Sequence, residues 1–458
     1  MRYHKLLRYY TNACFHTGKS TVIALVYEWT NSILQRAGDS PQQPYVLKTA
    51  FTGTAASNIG GGTLTSTFQF SYGNDHHCFK DKVRDKKKQE LKELVCVIID
   101  EISMVKADML YMLDLKLQEV KENKRPFGGV AILAFGDIFQ LKPVCAKYIF
   151  EKPSNPSFHL TYILANLWNK FTVVNLTTNH RQGESGEFAE LLNRARVLRR
   201  GEMEEEDIKT WKSRVRPKNH PDLMSASINI ICTRKAAGNL NEVYLKKMKG
   251  EELKMEAETT MNTQKNFKPT LHKSGDGTIA QTGFMKELKL KVGAKVMMLK
   301  NVRTSDGLTN GSLGVLAGVI KSNGEVQKLM VKFDKEEVGK LTRSENPQLE
   351  TNYPGATVVE KVKHSFSLAY RSTATAELMQ FPIALAHAVT VHKTQGMTIY
   401  KPLTANIDMM SLFEPAQGFV AASRTQELNQ LFIMDKFDPN KVYASPKALE
   451  EYEKMNAR

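Results

Sequence analysis

Residues 94–99 (LVCVII) and 130–135 (VAILAF) are continuous apolar runs, the pattern of central parallel strands covered on both faces. Residues 45–50, 172–176 and 228–232 follow the same style and predict further strands. Residues 20–35 place Val22, Ile23, Val26, Trp29 and Ile33 on one stripe, which predicts a helix facing a core. Strands alternating with helices imply right-handed crossovers and an α/β fold with parallel sheets. The stretch 69–93 breaks the pattern: its run KDKVRDKKKQELKEL reads as a solvated helix or loop. From about Leu288 short β segments alternate with Gly and Asn turns, predicting a small β-barrel insertion near 310–378 before helix–strand alternation returns.

At 458 residues the length suggests about three domains, and 41% hydrophobic with 24% charged residues is an ordinary globular balance. Charge changes the picture more. Lys and Arg number 64 against 48 Asp and Glu, a net +16 that favours a polyanionic partner, nucleic acid or an anionic membrane face. No apolar run approaches the ~20 residues that span a bilayer. The five cysteines are scattered without a CxxC pair, which argues for a reducing compartment and against a disulfide framework or a four-ligand zinc site. His76-His77-Cys78 lacks a second spaced pair and reads as a polar loop. The first ten residues are basic and aromatic in the style of an import presequence, yet candidate chemistry begins before residue 20. A truncated or mis-joined start is the simpler expectation.

Three strand ends carry that chemistry. Thr17-Gly18-Lys19-Ser20 opens the predicted helix, where backbone N–H groups surround phosphates, Lys19 reaches the β/γ-phosphates and Ser20 completes a Mg²⁺ shell. The strand at 94–99 ends in Asp100-Glu101, a carboxylate pair at the edge where α/β sheets bind ligands. Asp100 would hold Mg²⁺ through water and Glu101 would polarise the attacking water. The strand at 130–135 ends in Gly136-Asp137-Ile138-Phe139-Gln140, whose Gln140 carboxamide suits a γ-phosphate sensor.

TGKS, Thr52-Gly53-Thr54-Ala55-Ala56, DEISM, GDIFQLKPV, Asn179-His180-Arg181-Gln182, Val391-His392-Lys393-Thr394-Gln395-Gly396-Met397-Thr398 and Ala422-Ser423-Arg424 follow one another in the order of superfamily one DNA helicases. Within that superfamily the chain most resembles the petite-integration-frequency (Pif-one-like) helicases of the RecD branch, over about residues 13–435. The segment Gly307-Leu308-Thr309-Asn310-Gly311-Ser312 is similar to that family's GLxNGT stretch.

The resemblance implies two RecA-like motor domains, 1–178 and 179–458, with ATP in the cleft between them. It implies an ATP-dependent DNA helicase moving on single-stranded DNA, with 5′→3′ polarity, nuclear or mitochondrial placement and a monomeric state. Repair, recombination and telomere maintenance are the roles it suggests. Arg181 and Arg424 resemble the arginines that complete the nucleotide site, a role suited to a planar, permanently charged guanidinium. Thr54, His392 and Thr394 resemble phosphate-contacting residues, and Gln395 with Gly396 the junction of the DNA and nucleotide sites. Phe68 has two open readings, a face for stacking a base and, at least equally, a buried core aromatic.

Departures cluster at the start. Ala13-Cys14-Phe15-His16 precedes TGKS where the family has glycines, residues 6–12 make a poor apolar first strand, and no adenine-recognising glutamine motif precedes them. Thr65 stands where the family usually has His, and Ala422 where it usually has Leu. Two other functions stay open: a nucleic-acid-binding paralogue without catalysis, and an RNA-directed motor.

Overall fold

The computed structural model describes residues 8–13, 18–36, 38–39, 43–70, 79, 81–176, 186–218, 220–225, 228–262, 278–279, 283–367 and 375–457. The first of its two compact units comprises the described residues of Met1–Trp211, Glu414–Leu428 and Asp438–Arg458. Its strands are β1 (Arg8–Ala13), β2 (Val46–Ala50), β3 (Gly62–Thr63), β4 (Cys96–Asp100), β5 (Ala131–Gly136) and β6 (Thr172–Leu176). They form one sheet in the order β3-β2-β4-β5-β1-β6, every neighbouring pair parallel. Helices α1 (Lys19–Leu34), α2 (Gly53–Asn58), α3 (Leu64–Phe68), α4 (Asp81–Glu90), α5 (Ala107–Val120) and α6 (His159–Leu164) lie between successive strands, and α7 (Gly186–Val197) and α8 (Glu205–Ser213) follow β6.

β4 behaves as its apolar run predicts. Val97 and Ile99 join one hydrophobic cluster with Ile132 and residues of α5, while Cys96 and Ile98 join a second with Val46, Ala50 and Ile23 of α1. Alternate side chains point to opposite faces, so a strand covered on both sides stays apolar from Cys96 to Ile99 and turns polar only at its end, Asp100. β1 is different. Its sequence RYYTNA is a poor apolar strand, yet it pairs with β5 on one side and β6 on the other. Tyr10, Thr11 and Asn12 are all buried there, so a strand that is poor in apolar residues still forms: its two parallel ladders and the hydrogen-bonded side chains of Tyr10 and Asn12 hold it.

The stripe expected on α1 also divides. Ile23 is buried, and Val22, Val26 and Tyr27 pack beside it. Leu25, Trp29 and Ile33 are 64%, 69% and 60% exposed, because the helix meets the sheet through its N-terminal half. The hydrophilic stretch contributes α4, ten residues of which none is apolar except Val83.

The second unit comprises the described residues of Lys212–Phe413 and Asn429–Phe437. It starts with β7 (Val215–Arg216), α9 (Pro221–Ser225), β8 (Ile228–Ile231) and α10 (Arg234–Lys247). The chain then makes an antiparallel excursion: β9 (Leu253–Glu256), β10 (Glu258–Asn262), β11 (Glu287–Leu290), β12 (Lys295–Met298), β13 (Leu313–Ser322), β14 (Glu325–Phe333), α11 (Lys340–Ser344), β15 (Thr357–Glu360), β16 (Val362–Ser367), β17 (Thr375–Gln380) and β18 (Ile383–Leu385). Sheets β15-β14-β13-β12-β18 and β11-β9 share one core that includes Leu253, Val296, Leu329 and Ile383, and β10-β17-β16 stands beside them. The insertion is therefore wider than 310–378. Then β19 (Ala388–Thr390), α12 (Val391–Thr394), β20 (Ala405–Ile407) and β21 (Leu431–Met434) complete a parallel sheet in the order β19-β8-β20-β21-β7.

Two late helices, α13 (Gln417–Ala422) and α14 (Pro446–Asn456), group with the first unit, as do α7 and most of α8. Ala448 and Met455 enter the first unit's core, and Trp168 Nε1 donates to Glu451 at 3.1 Å. The contact boundary thus departs from a simple 1–178 and 179–458 division. Among the described residues no helix is long and apolar enough to cross a membrane, and no His/Cys/Asp/Glu group could hold a metal ion by itself. The His76-His77-Cys78 cluster lies outside the described residues.

Candidate nucleotide and nucleic-acid site

The C-terminal edge of the first sheet brings three of the expected segments together. Gly18 caps α1 in the left-handed conformation (φ 75°), a region glycine enters without steric cost, and its carbonyl accepts from Val22 N at 3.0 Å. Lys19 and Ser20 form the first turn, Lys19 half-buried and Ser20 exposed. Thr17 and the rest of 14–17 lie outside the described residues, as do Arg181 and the segment 177–185.

β4 delivers Asp100 and Glu101, 6% and 7% exposed. Glu101 N donates to Asp100 Oδ1 at 2.9 Å. Glu101 itself is left-handed (φ 53°), a conformation that costs a non-glycine residue about 1–3 kcal/mol and collects at functional sites. Its Oε2 is buried without a hydrogen-bond partner. Burial pushes the Asp100 carboxyl up to about 7, the Glu101 charge adds to the rise, and Lys19 opposes it. That opposition ties the lysine of one segment to the carboxylate of another. A desolvated acid pair with one orphan oxygen and a nearby ammonium is a donor set that fits a divalent cation and a polyphosphate.

The β5 end approaches the same place. A Cβ on Gly136 would lie 2.9 Å from Ile102 N, so only glycine lets this turn sit against the one after β4. Asp137 is fully buried and Gln140 is 1% exposed. Asp137 forms a bidentate pair with Arg196 of α7, Nε to Oδ2 and Nη2 to Oδ1, both 2.8 Å. Sequence reading singled out neither as an anchor. The signal was an arginine in a helix whose apolar face (Phe188, Leu191, Leu192, Ala195) already occupies the core.

For nucleic acid, Thr52 caps α2 through Ala55 N (3.2 Å) and leaves Thr54 half-buried in its first turn. Phe68 takes the core alternative: it is 0% exposed and stacks on Phe70 at 6.2 Å, so it offers no face to a base. In the second unit His392 and Lys393 are half-buried on α12. Thr394 is 1% exposed and its hydroxyl donates to Val391 O at 2.7 Å, which closes the turn and leaves no exposed hydroxyl for phosphate. Gln395 is buried, and Gly396 (φ 80°) turns the chain out of the helix. Lys393 lines a cavity of about 320 Å³ together with Arg234 and Lys289. Arg424 follows α13, 1% exposed, its Nε donating to Val420 O at 2.8 Å and its Nη2 to Ser423 Oγ at 2.9 Å.

Comparison with known proteins gives a consistent picture. A family model described as PIF1-like helicase matches residues 16–207, and one described as the DNA helicase Pif1 2B domain matches residues 278–319. The chain is 30% identical over 427 residues to the ATP-dependent DNA helicase PIF1 of Homo sapiens, covering 92% of this chain and 58% of that protein. It is 28% identical to ATP-dependent DNA helicase Pif1 of Campylobacter jejuni, covering 86% of this chain and 83% of that one. The relative from Emericella nidulans is 27% identical over 96% of this chain and 60% of its own length. The chain thus spans about three-fifths of the first curated relatives it matches. Among solved structures, Pif1 helicase from Candida albicans superposes with a TM-score of 0.71 at 24% identity, covering 98% of this chain and 96% of that one. A Bacteroides Pif1 in complex with ADP-AlF3 and ssDNA gives 0.68 at 24% identity, covering 99% and 94%. These likenesses establish the fold, two RecA-like parallel sheets with a β insertion in the second.

Proposed function

Because this chain belongs to the PIF1-like helicase family, we propose that it is an ATP-dependent DNA helicase that couples ATP hydrolysis to movement along single-stranded DNA. The observation that carries the reading is the buried Asp100–Glu101 pair answering to Lys19 at one sheet edge. In this reading Gly18 and Lys19, with Thr17, hold the nucleotide phosphates. Ser20 and Asp100 hold Mg²⁺, which neutralises charge on the phosphate oxygens. Glu101, strained and with an orphan oxygen, polarises the attacking water, and Gln140 reports on the γ-phosphate. Arg181 and Arg424 stabilise the charge that spreads over the transferred group.

On DNA, Thr54 and His392 meet phosphates, and the +16 surplus supplies a sequence-neutral track whose affinity falls with salt. We assign 5′→3′ polarity, a monomeric motor and a DNA-containing compartment, nucleus or mitochondrion, in accord with the family. Relatives described as bound to ssDNA and at forked dsDNA support single strands and junctions as substrates.

The test is ATP turnover with and without single-stranded DNA. Lys19→Ala abolishes DNA-stimulated turnover; stimulation that survives it sinks the site assignment. An intact chain that binds DNA in a salt-sensitive way but takes no nucleotide is a binding protein instead. Greater stimulation by a matched RNA strand overturns the substrate assignment.

A further inference from the structure

A single guanidinium joins the end of β1 to the turn after β5. Arg196, on the last turn of α7, holds Asp137 at both oxygens and also donates from Nη2 to Asn12 Oδ1 at 2.9 Å. Asp137 begins the turn that ends in Gln140, and Asn12 is the penultimate residue of β1, just ahead of the phosphate loop. The turn is pinned again from below. Tyr10 Oη accepts from Ile138 N at 3.1 Å and donates to Asn12 Oδ1 at 3.0 Å, while Phe139 N donates to Asp137 Oδ1 at 3.1 Å. The Arg196 guanidinium also lies over the Phe139 ring, 4.7 Å from its centroid. Asn12 Nδ2 passes the connection to Asn175 Oδ1 at 2.9 Å, and Asn175 Nδ2 donates to Asn456 Oδ1 of α14 at 3.2 Å.

Asp137 is 0% exposed and Arg196's side chain is 12% exposed, so neither charge has bulk water to fall back on. A planar bidentate fork fixes orientation as well as distance, which an ammonium cannot. The turn carrying Gln140 is therefore indexed to α7, the helix that directly follows the segment containing Arg181.

We propose that Arg196 is a positioning residue for ATP hydrolysis: through Asp137 and Asn12 it locks the turn carrying Gln140 in register with the end of β1, so that a shift of α7 alters turnover. The inference rests on the ATPase reading above. It makes no use of Arg196 touching nucleotide.

Steady-state ATP hydrolysis on saturating oligo-dT is compared for the intact chain, Arg196→Lys, Gln140→Ala and the double variant. Arg196→Lys is expected to lower kcat about ten-fold or more with KM for ATP within about three-fold. The double variant is expected to match Gln140→Ala within about two-fold, since both act through one group. Losses that multiply in the double variant, or a change confined to KM, overturn the proposal.

Hydrogen exchange gives a readout that needs no turnover. In Arg196→Lys the Ile138 and Phe139 amides should exchange about ten-fold faster while those of Val97–Ile99 hold their rate. Unchanged exchange at 138 and 139, or equal acceleration in β4, overturns the proposal. Should Arg196→Lys not fold, Tyr10→Phe serves in both measurements; it must quicken exchange at Ile138 and lower kcat, and failure of either rejects the idea. An intact chain without DNA-stimulated turnover refutes the ATPase reading, while the exchange result still decides the lock.

Discussion

β4 and β1 both end at the candidate site, both lie inside the same parallel sheet, and they are built from opposite materials. β4 is CVIID, buried at every position and flanked by apolar clusters on both faces. β1 is RYYTNA, and its buried Tyr10 and Asn12 are secured by hydrogen bonds with residues 138, 175 and 196, the last of which is itself paired with Asp137. The hydrophobic effect is non-directional and forgives small shifts. A buried network of charges and amides tolerates few, because any member left alone bears the full cost of desolvation. The strand that carries the acid pair is placed by burial; the strand that leads to the phosphate loop is placed by orientation.

The sharpest way to break this contrast is Arg196→Met, which strands the Asp137 carboxylate in a fully buried place. A stability loss of about 3–5 kcal/mol in denaturant unfolding is expected. Ile98→Ala, at 0% exposure in β4, removes packing alone and should cost about 3 kcal/mol. If the apolar truncation proves the more damaging, the network is not what holds β1.

A polar group buried elsewhere provides the comparison's control. His387 in the second unit stacks on Tyr244 at 5.1 Å and accepts from Lys295 N at Nε2 (3.2 Å), so its ring is neutral when folded. Burial, and then the Lys295 charge, push its pKa down to about 4. The unfolded chain therefore binds the extra proton first. The second unit should be fully stable above about pH 6.5 and lose about 2 kcal/mol as pH falls toward 4, and His387→Phe should flatten that slope in pH-dependent melting. Tyr10→Phe deletes one hydroxyl from the network and should cost about 1 kcal/mol by the same melting assay. Trp29→Ser on the exposed face of α1 should move stability by less than about 0.5 kcal/mol.

The same contrast explains what could be read from the sequence. β4 and β5 were legible because continuous apolar runs have a local meaning. The acid pair and the glycine of GDIFQ were legible because strand ends bind ligands, and the structure sets Gly136 against Ile102 and Lys19 within electrostatic reach of Asp100. β1 was not, since its polar residues find partners 163 and 184 positions away, beyond any periodicity. The C-terminal half of α1 misled, and Phe68 stayed open between two readings, for a related reason. A lone aromatic beside a DNA motif, or Trp29 on a helical stripe, does not announce which side of it the core will occupy.

The bond between Trp168 and Glu451 bridges 283 residues, and Asn175 meets Asn456 across 281. Read as a schedule, this means that the first unit cannot close when its own sheet has been synthesised. The ribosome must first deliver the whole second unit and then α14, while the edge beside β6 waits uncovered. At roughly 5–20 residues per second that interval is tens of seconds, far longer than local helices and hairpins need. A helix made after the second unit thus finishes the first unit, and cellular folding assistance has a clear task in that wait.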